Sequence, residues 1–126
     1  MKALVVDGNK AIRGLLRKIL TKMGLEIIEA DCDDEILKSL VYVEGIGIAV
    51  IDVGTETVDC RKVCKEIKRH WPYVKLVVTS ERLSEIEEKV FVSLGVGAFL
   101  RKPYELIDVR DAISQALGNF NVPDYE

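Results

Sequence analysis

The chain has 126 residues, about the size of one domain, and its composition is that of an ordinary globular protein. Hydrophobic residues make up 48% and charged residues 31%, which excludes the disordered, collagen-like and low-complexity classes. Lys and Arg number 18 against 21 Asp and Glu, so the net charge of −3 provides no global positive field for nucleic acid or an anionic membrane. Asp7 comes too early for a secretory leader, and we expect a cytoplasmic protein that does not enter a membrane.

The first part of the chain predicts a strand, a helix and a second strand. Residues 3–6 are an unbroken apolar run, as expected for a strand that is buried on both faces. The next segment has apolar residues at intervals of three and four, and Gly24 ends this helix while Arg13 and other basic residues take its remaining faces. Residues 26–30 predict a weaker strand. The apolar positions of the first helix are Ile12, Leu15, Leu16, Ile19, Leu20 and Met23.

The middle of the chain repeats this order of elements. A second helix is predicted to begin at Asp33 or Asp34, because acidic residues favour the amino terminus of a helix. The third strand is predicted over residues 48–51. A third helix ends near Trp71, since the proline that follows disfavours helix in the residue before it. The apolar stripe of this helix is Cys60, Val63, Cys64 and Ile67.

The last part of the chain predicts two more strands, each followed by a helix. Residues 76–78 form the fourth strand, and Ser80 is the predicted cap of a fourth helix that runs to Gly95. Residues 98–100 form the fifth strand, and the fifth helix stops at Gly118. The predicted inward positions are Leu83, Ile86, Val90 and Leu94 in the fourth helix and Leu106, Val109, Ile113 and Leu117 in the fifth.

Five strands that alternate with five helices predict an α/β fold with a doubly wound parallel sheet. We expect one domain over residues 1–118 and a loose tail, or the start of a linker, over 119–126. In sheets of this kind, ligands bind beyond the carboxyl ends of the strands, where the strand order reverses. The residues that follow the strands are therefore the candidates for a functional site.

Polar side chains follow four of the five predicted strands. Asp7 follows the first strand, Asp52 the third, Thr79 and Ser80 close the fourth, and Lys102 comes just after the fifth. Two neighbouring carboxylates repel each other unless a cation lies between them, and Lys102 or a divalent metal can fill that role. Oxygen ligands favour Mg²⁺ over zinc. Because a carboxylate can accept a phosphoryl group while these cations neutralise its oxygens, the set predicts an aspartyl phosphate on Asp52.

In this order, the segments resemble the receiver domain of two-component response regulators. The resemblance covers nearly the whole chain and implies a flavodoxin-like sheet with strand order 2-1-3-4-5. It implies a signalling module rather than an enzyme, one that at most promotes its own phosphorylation and dephosphorylation. The implied partners are a histidine kinase or histidine phosphotransfer protein and a downstream protein or output domain. The segments that carry the resemblance are Val5-Val6-Asp7, Val50-Ile51-Asp52, Val78-Thr79-Ser80 and Leu100-Arg101-Lys102-Pro103.

The resemblance also implies roles for individual residues. Asp52 is the implied phosphoacceptor, and Lys102 and Thr79 are the implied phosphate contacts. Thr79 and Phe99 are the implied switch residues: phosphate would draw Thr79 inward and let Phe99 turn from solvent toward the core. That movement would remodel the face built by the fourth helix, the fifth strand and the fifth helix.

The implied metal site departs from the family pattern at one position. Receivers usually have two adjacent acids after the first strand, and Gly8 stands where the second of them binds the metal directly. We therefore expect a weakened Mg²⁺ site, because Gly8 offers neither charge nor a side-chain oxygen. The implied ligands that remain are Asp7, Asp52 and the main-chain carbonyl of Gly54, and the side chains that could replace the missing acid are Asn9 and Glu56.

Two functions remain open from the sequence. Asp52, Thr79 and Lys102 together favour a phosphorylation-dependent switch. Gly8 favours a pseudo-receiver, which would act as a protein-interaction module without phosphorylation. If the switch is correct, we expect a short-lived phosphoryl group, because Gly54 has no side chain to shield it from water.

Overall fold

Five parallel strands form the centre of the fold. The computed structural model describes residues 1–31, 38–40, 42–53 and 57–118. The strands are β1 (Lys2–Val6), β2 (Glu26–Ala30), β3 (Ile46–Asp52), β4 (Lys75–Ser80) and β5 (Val96–Arg101). The helices of the described residues are α1 (Lys10–Lys22), α2 (Thr57–His70), α3 (Glu85–Ser93) and α4 (Leu106–Leu117). The sheet has the order β2-β1-β3-β4-β5, which confirms the predicted doubly wound α/β fold.

All five predicted strands are present, and all but β2 extend beyond the predicted apolar run by one or two residues at one or both ends. The predicted second helix, with Asp33 and Asp34, lies for most of its length outside the described residues, as does the predicted tail over 119–126. The third, fourth and fifth predicted helices are therefore α2, α3 and α4. In the described part of the chain, no helix has the length and apolar character that a membrane crossing needs.

The side chains of β1 show why the strands are continuous apolar runs. Residues 3–6 are all fully buried, because alternate side chains enter two separate core layers. Ala3 and Val5 belong to the layer under α1 and α4, which includes Leu16, Leu20, Val109 and Ile113. The opposite layer, under α2 and α3, includes Leu4, Val6, Ile51, Cys64, Ile67, Leu76 and Phe91.

The start of α3 differs from the prediction. Ser80 is the last residue of β4, so its assignment as the helix cap is wrong. Ser84 caps the helix instead: its hydroxyl accepts the Glu87 amide at 3.1 Å, and the Glu87 carboxylate accepts the Ser84 amide at 3.2 Å. In this helix, Phe91 faces the core at 1% exposure, whereas Ile86 is 75% exposed, against the prediction that Ile86 faces inward. Two more predicted inward positions, Leu15 and Leu106, are also exposed.

Candidate functional site

The carboxyl ends of β1, β3, β4 and β5 meet at a cleft of about 510 Å³. The parallel register places Asp52 directly opposite Thr79, and Thr79 opposite Leu100 in β5. Asp7 and Lys102, which follow β1 and β5, also lie here, so the structure brings together the four side chains predicted from the strand ends. The remaining lining residues are Gly8, Asn9, Val53, Ser80, Glu81 and Arg82.

The Lys102 ammonium lies between the two carboxylates. Lys102 Nζ is 2.8 Å from Asp52 Oδ1 and 3.4 Å from Asp7 Oδ2, and Asp7 is only 2% exposed. The main-chain amide of Lys102 donates to the Ser80 carbonyl at 2.7 Å, which fixes the end of β5 against β4. Burial alone would lower the pKa of Lys102, but the hydrogen bond and charge of Asp52, together with Asp7, raise this pKa above the ordinary lysine value. The ammonium is therefore charged at neutral pH.

Thr79 and Lys102 bind the same oxygen of Asp52. The hydroxyl of Thr79, itself 1% exposed, donates to Asp52 Oδ1 at 3.1 Å. Both bonds use Oδ1, so Oδ2 takes part in neither of them. The Asp52 side chain is 13% exposed, at the floor of the cleft. This arrangement holds a carboxylate in a fixed orientation with a cation and a hydroxyl beside it, as a nucleophile for a charged group requires.

Asn9 does not fill the place of the missing metal ligand. Its side-chain oxygen accepts the amides of Ala11 and Ile12 at 2.9 and 3.2 Å and so caps α1. Its main-chain amide donates to Asp7 Oδ1 at 2.8 Å, which orients that carboxylate. The other candidate, Glu56, and the Gly54 carbonyl lie outside the described residues.

Two residues near Asp7 were missed or misplaced by the sequence prediction. The sequence predicts Arg13 on a face of the first helix other than the apolar one, but its guanidinium donates to the Asp7 carbonyl and lies 3.4 Å from the Glu29 carboxylate. The sequence prediction of the site does not include Asp31, which directly follows the predicted strand over 26–30. A Cβ atom added to Gly8 would lie 3.5 Å from Asp31 Oδ1, so a carboxylate borders the space that Gly8 leaves.

The oxygen-only donor set of this cleft fits a hard cation such as Mg²⁺. Asp7 and Asp52 contribute carboxylates, and the described residues that line the cleft include neither sulfur nor imidazole. Among the residues that the structure describes, no three acidic, histidine or cysteine side chains converge as a ready-made metal cluster. A cation bound here would therefore take few carboxylate ligands and keep several of its water molecules.

The predicted switch aromatic, Phe99, lies outside the cleft. Its ring is half-buried and meets Phe91 of α3 edge to face, with ring centroids 6.5 Å apart and an angle of 70°. Phe99 and Val92 also line a shallow groove of about 390 Å³ between α3 and β5. Phe99 therefore links β5, the strand that Lys102 follows, with the surface of α3.

An apolar cavity of about 480 Å³ adjoins the cleft, between α1 and the segment after β5. Tyr104 lines this cavity with Ile12, Leu15 and Pro103. The Tyr104 hydroxyl is buried and meets no hydrogen-bond partner among the described residues. Burial, with the charges of Asp7 and Asp52, raises the pKa of Tyr104 well above its usual range, so the hydroxyl is neutral.

Comparisons with known proteins agree with this geometry. A family model described as the response regulator receiver domain matches residues 3–114. The chain is 23% identical over 123 residues to the transcriptional regulatory protein YxdJ of Bacillus subtilis, covering 94% of this chain and 53% of that protein. It is 25% identical over 131 residues to the probable transcriptional regulator ycf27 of Porphyridium aerugineum, covering 98% and 53%. The chain thus spans about half the length of these relatives.

Solved structures share the fold at lower identity. A response regulator from Thermotoga maritima has a TM-score of 0.81 and 19% identity, covering 94% of this chain and 98% of that one. The chemotaxis protein CheY4 of Vibrio cholerae has a TM-score of 0.79 and 18% identity, covering 91% and 97%. A response regulator from Burkholderia pseudomallei, described with a phosphorylated aspartic acid, a calcium ion and citrate, has a TM-score of 0.78 and 21% identity, covering 94% and 67%.

Proposed function

The chain belongs to the response regulator receiver domain family, and on this premise we propose that it is a phosphorylation-dependent switch with Asp52 as the phosphoacceptor. The donor is a phosphohistidine on a cytoplasmic histidine kinase or histidine phosphotransfer protein. One observation carries the proposal: the Lys102 ammonium and the Thr79 hydroxyl both bind Asp52 Oδ1 at the floor of an open cleft.

The proposed reaction is a transfer of the phosphoryl group from nitrogen to oxygen. A carboxylate oxygen of Asp52 attacks the phosphorus, so a P–O bond forms while the P–N bond breaks, and the electron pair of that bond stays on the imidazole nitrogen. Lys102 neutralises charge on one phosphoryl oxygen, and the Thr79 hydroxyl donates to another. The chain acts only on its own side chain in this step, so we do not propose it as an enzyme for other substrates.

Mg²⁺ is the proposed cofactor, held by Asp7, Asp52 and, by family resemblance, the main-chain carbonyl of Gly54. When bound, it supplies further positive charge for the phosphoryl oxygens. The Burkholderia protein is described with both a phosphorylated aspartic acid and a calcium ion, and the presence of a divalent cation beside that modification supports the proposal. Gly8 removes one acid from this site, and we therefore propose an affinity for Mg²⁺ below that of receivers with both acids.

The proposed output is the face built by α3, β5 and α4. Thr79 would leave Asp52 Oδ1 for a phosphoryl oxygen, and Phe99 would then turn inward and change its contact with Phe91. Ile86 and Val92 are already 75% and 57% exposed on this face. A downstream protein or an output domain would bind there and distinguish the two arrangements by their different packing.

Gly8 supports a second candidate function. Without the second acid, the chain could keep the receiver fold and act as a phosphorylation-independent protein-interaction module. Gly8 is the observation that favours this candidate, because the cleft then has one fewer carboxylate for a cation.

The test is incubation of the full chain with Mg²⁺ and acetyl phosphate, followed by measurement of intact mass. We expect the mass of one phosphoryl group to be gained by the native chain and by Asp111→Asn, which removes an exposed acid of α4 as a control. Asp52→Asn should gain none. If the native chain gains no phosphoryl group even at high Mg²⁺, the switch is wrong, and gain by Gly8→Asp alone would assign the loss to the missing acid.

A further inference from the structure

The end of β2 brings a carboxylate to the position where the metal site lacks one. Val6 of β1 pairs with Ala30 of β2, and the Asp7 amide donates to the Ala30 carbonyl at 3.1 Å. The residues that follow, Asp7 and Asp31, therefore leave the sheet side by side, at about the spacing of neighbouring strands, roughly 4.8 Å. Asp31 thus lies at the same edge of the sheet as the cleft.

The space that a side chain at position 8 would occupy borders Asp31. Among the residues that the structure describes, Asp31 Oδ1 is the neighbour of a Cβ atom placed at Gly8, at 3.5 Å, an ordinary van der Waals distance. An aspartate side chain at position 8 would bring a second negative charge next to Asp31, and like charges that close destabilise each other. A carboxylate at position 8 or a carboxylate at position 31 would therefore supply negative charge to the same part of the cation site.

We propose that Asp31 replaces the missing acid of the cation site and does so through water, by accepting hydrogen bonds from water molecules bound to Mg²⁺. This inference rests on the proposed cation site at Asp7 and Asp52. The described carboxylates do not converge as a cluster of three, which argues against a direct bond from Asp31. Mg²⁺ gives up its water reluctantly and commonly binds through one or two carboxylates, so a third carboxylate at the rim can act on the retained waters.

The charge balance of the cleft gives Asp31 its effect. Asp7 and Asp52 contribute two negative charges, and Lys102 offsets one of them at 2.8 and 3.4 Å. The net charge close to the site is then a single negative charge, which is weak for a divalent cation. Asp31 adds a second negative charge without entering the contacts of Lys102.

The test measures Mn²⁺ binding to the full chain by electron paramagnetic resonance, with Mg²⁺ competition, and needs no phosphoryl donor. We expect Asp31→Asn to weaken Mn²⁺ binding by roughly tenfold, as loss of an outer-shell ligand does. Asp31→Glu, which keeps the charge, should retain most of the affinity. Glu26→Gln is the matched control, because Glu26 is an exposed acid at the opposite end of the same strand.

A double-mutant cycle separates replacement from simple surface charge. Gly8→Asp should strengthen Mn²⁺ binding more in the Asp31→Asn background than in the native background, because the two acids serve one region. If the native chain and Asp31→Asn bind Mn²⁺ with equal affinity, the proposal for Asp31 is wrong. If Asp52→Asn nevertheless loses Mn²⁺ binding, the cation site of the proposed switch still stands. If the native chain neither binds Mn²⁺ nor gains a phosphoryl group, the proposed function itself is wrong.

Discussion

The Thr79 hydroxyl and the Lys102 ammonium bind the same oxygen of Asp52, and this detail bears on how the proposed phosphoacceptor would react. Thr79 and Lys102 both bind Oδ1, so a phosphoryl group that forms on Oδ2 would not first have to displace either donor. The two donors are then already within a short movement of the phosphoryl oxygens. Their preorganisation before the reaction is the main way in which fixed groups stabilise developing charge.

Tyr104 has a hydroxyl that the fold buries without a partner among the described residues. An unpaired buried hydroxyl costs stability, so we expect Tyr104→Phe to raise the free energy of unfolding by about 1 kcal/mol. Urea denaturation followed by circular dichroism measures this change. Tyr73→Phe is the control and should have no effect, because Tyr73 is 92% exposed. A clear loss of stability in Tyr104→Phe would mean that the hydroxyl is bonded.

At the scale of residues, sequence reasoning identified strand-end chemistry but not lateral contacts. Asp7, Asp52 and Thr79 could be predicted because each directly follows an apolar run, and Lys102 because it comes two residues after one. The position of Asp31 beside the space at Gly8 depends on the register of β1 against β2, which no local pattern encodes. Arg13 lies three and seven residues before the buried Leu16 and Leu20, so it flanks the apolar face of α1. Only the fold shows that the Asp7 carbonyl is within reach of its guanidinium.

At the scale of elements, alanine substitutions at two glycines should change the free energy of unfolding in opposite directions. A Cβ at Gly97 of β5 would lie 3.3 Å from the Ala116 Cα of α4. A Cβ at Gly14 of α1 would meet, within 4 Å, none of the described residues beyond its own stretch of helix. We expect Gly97→Ala to lower the free energy of unfolding by about 1 to 3 kcal/mol, because α4 must move away from the sheet.

Gly14→Ala is the matched variant and should raise the free energy of unfolding by about 0.5 to 1 kcal/mol, because alanine stabilises a helix interior relative to glycine. Thermal and urea denaturation of both variants test the pair. Equal effects of the two substitutions would contradict the close approach of α4 to β5.

The start of α3 follows a pattern that is visible in the sequence, although the prediction placed the cap at Ser80. Two serines precede the helix, and only Ser84 has a glutamate three residues later, the pattern of a capping box. Ser80 was the wrong choice because β4 extends farther than its apolar core, through Thr79 and Ser80. The hydrogen-bonded pairing of β4 with its neighbours continues past the apolar residues into polar ones. The apolar run alone therefore does not show where the strand ends.

At the scale of the whole molecule, one sheet is shared by two core layers. Leu16 of α1 lies in one layer and Ile67 of α2 in the other, and each is 1% exposed. We expect Leu16→Ala and Ile67→Ala each to lower the free energy of unfolding by about 2 to 5 kcal/mol, since both leave cavities in a packed core.

Both variants should still unfold in a single transition, because the layers share every strand of the sheet. Circular dichroism and the fluorescence of Trp71 follow this transition with independent probes. Trp71 packs against the layer that contains Ile67. Separate transitions in the two probes for either variant would show that the layers fold independently.

The contact between Lys102 and Asp7 joins residues 95 positions apart in the chain. During synthesis, Asp7 and Asp52 leave the ribosome before the lysine that lies between them, and the ammonium reaches them only once β5 pairs with β4. The main-chain amide of Lys102 donates to the Ser80 carbonyl at the end of β4, so the pairing of β5 with β4 also brings the Lys102 side chain to the two carboxylates. A nascent chain, or one in which β5 has come loose, therefore holds two carboxylates without their cation, and the completed sheet is itself a precondition for receiving a signal.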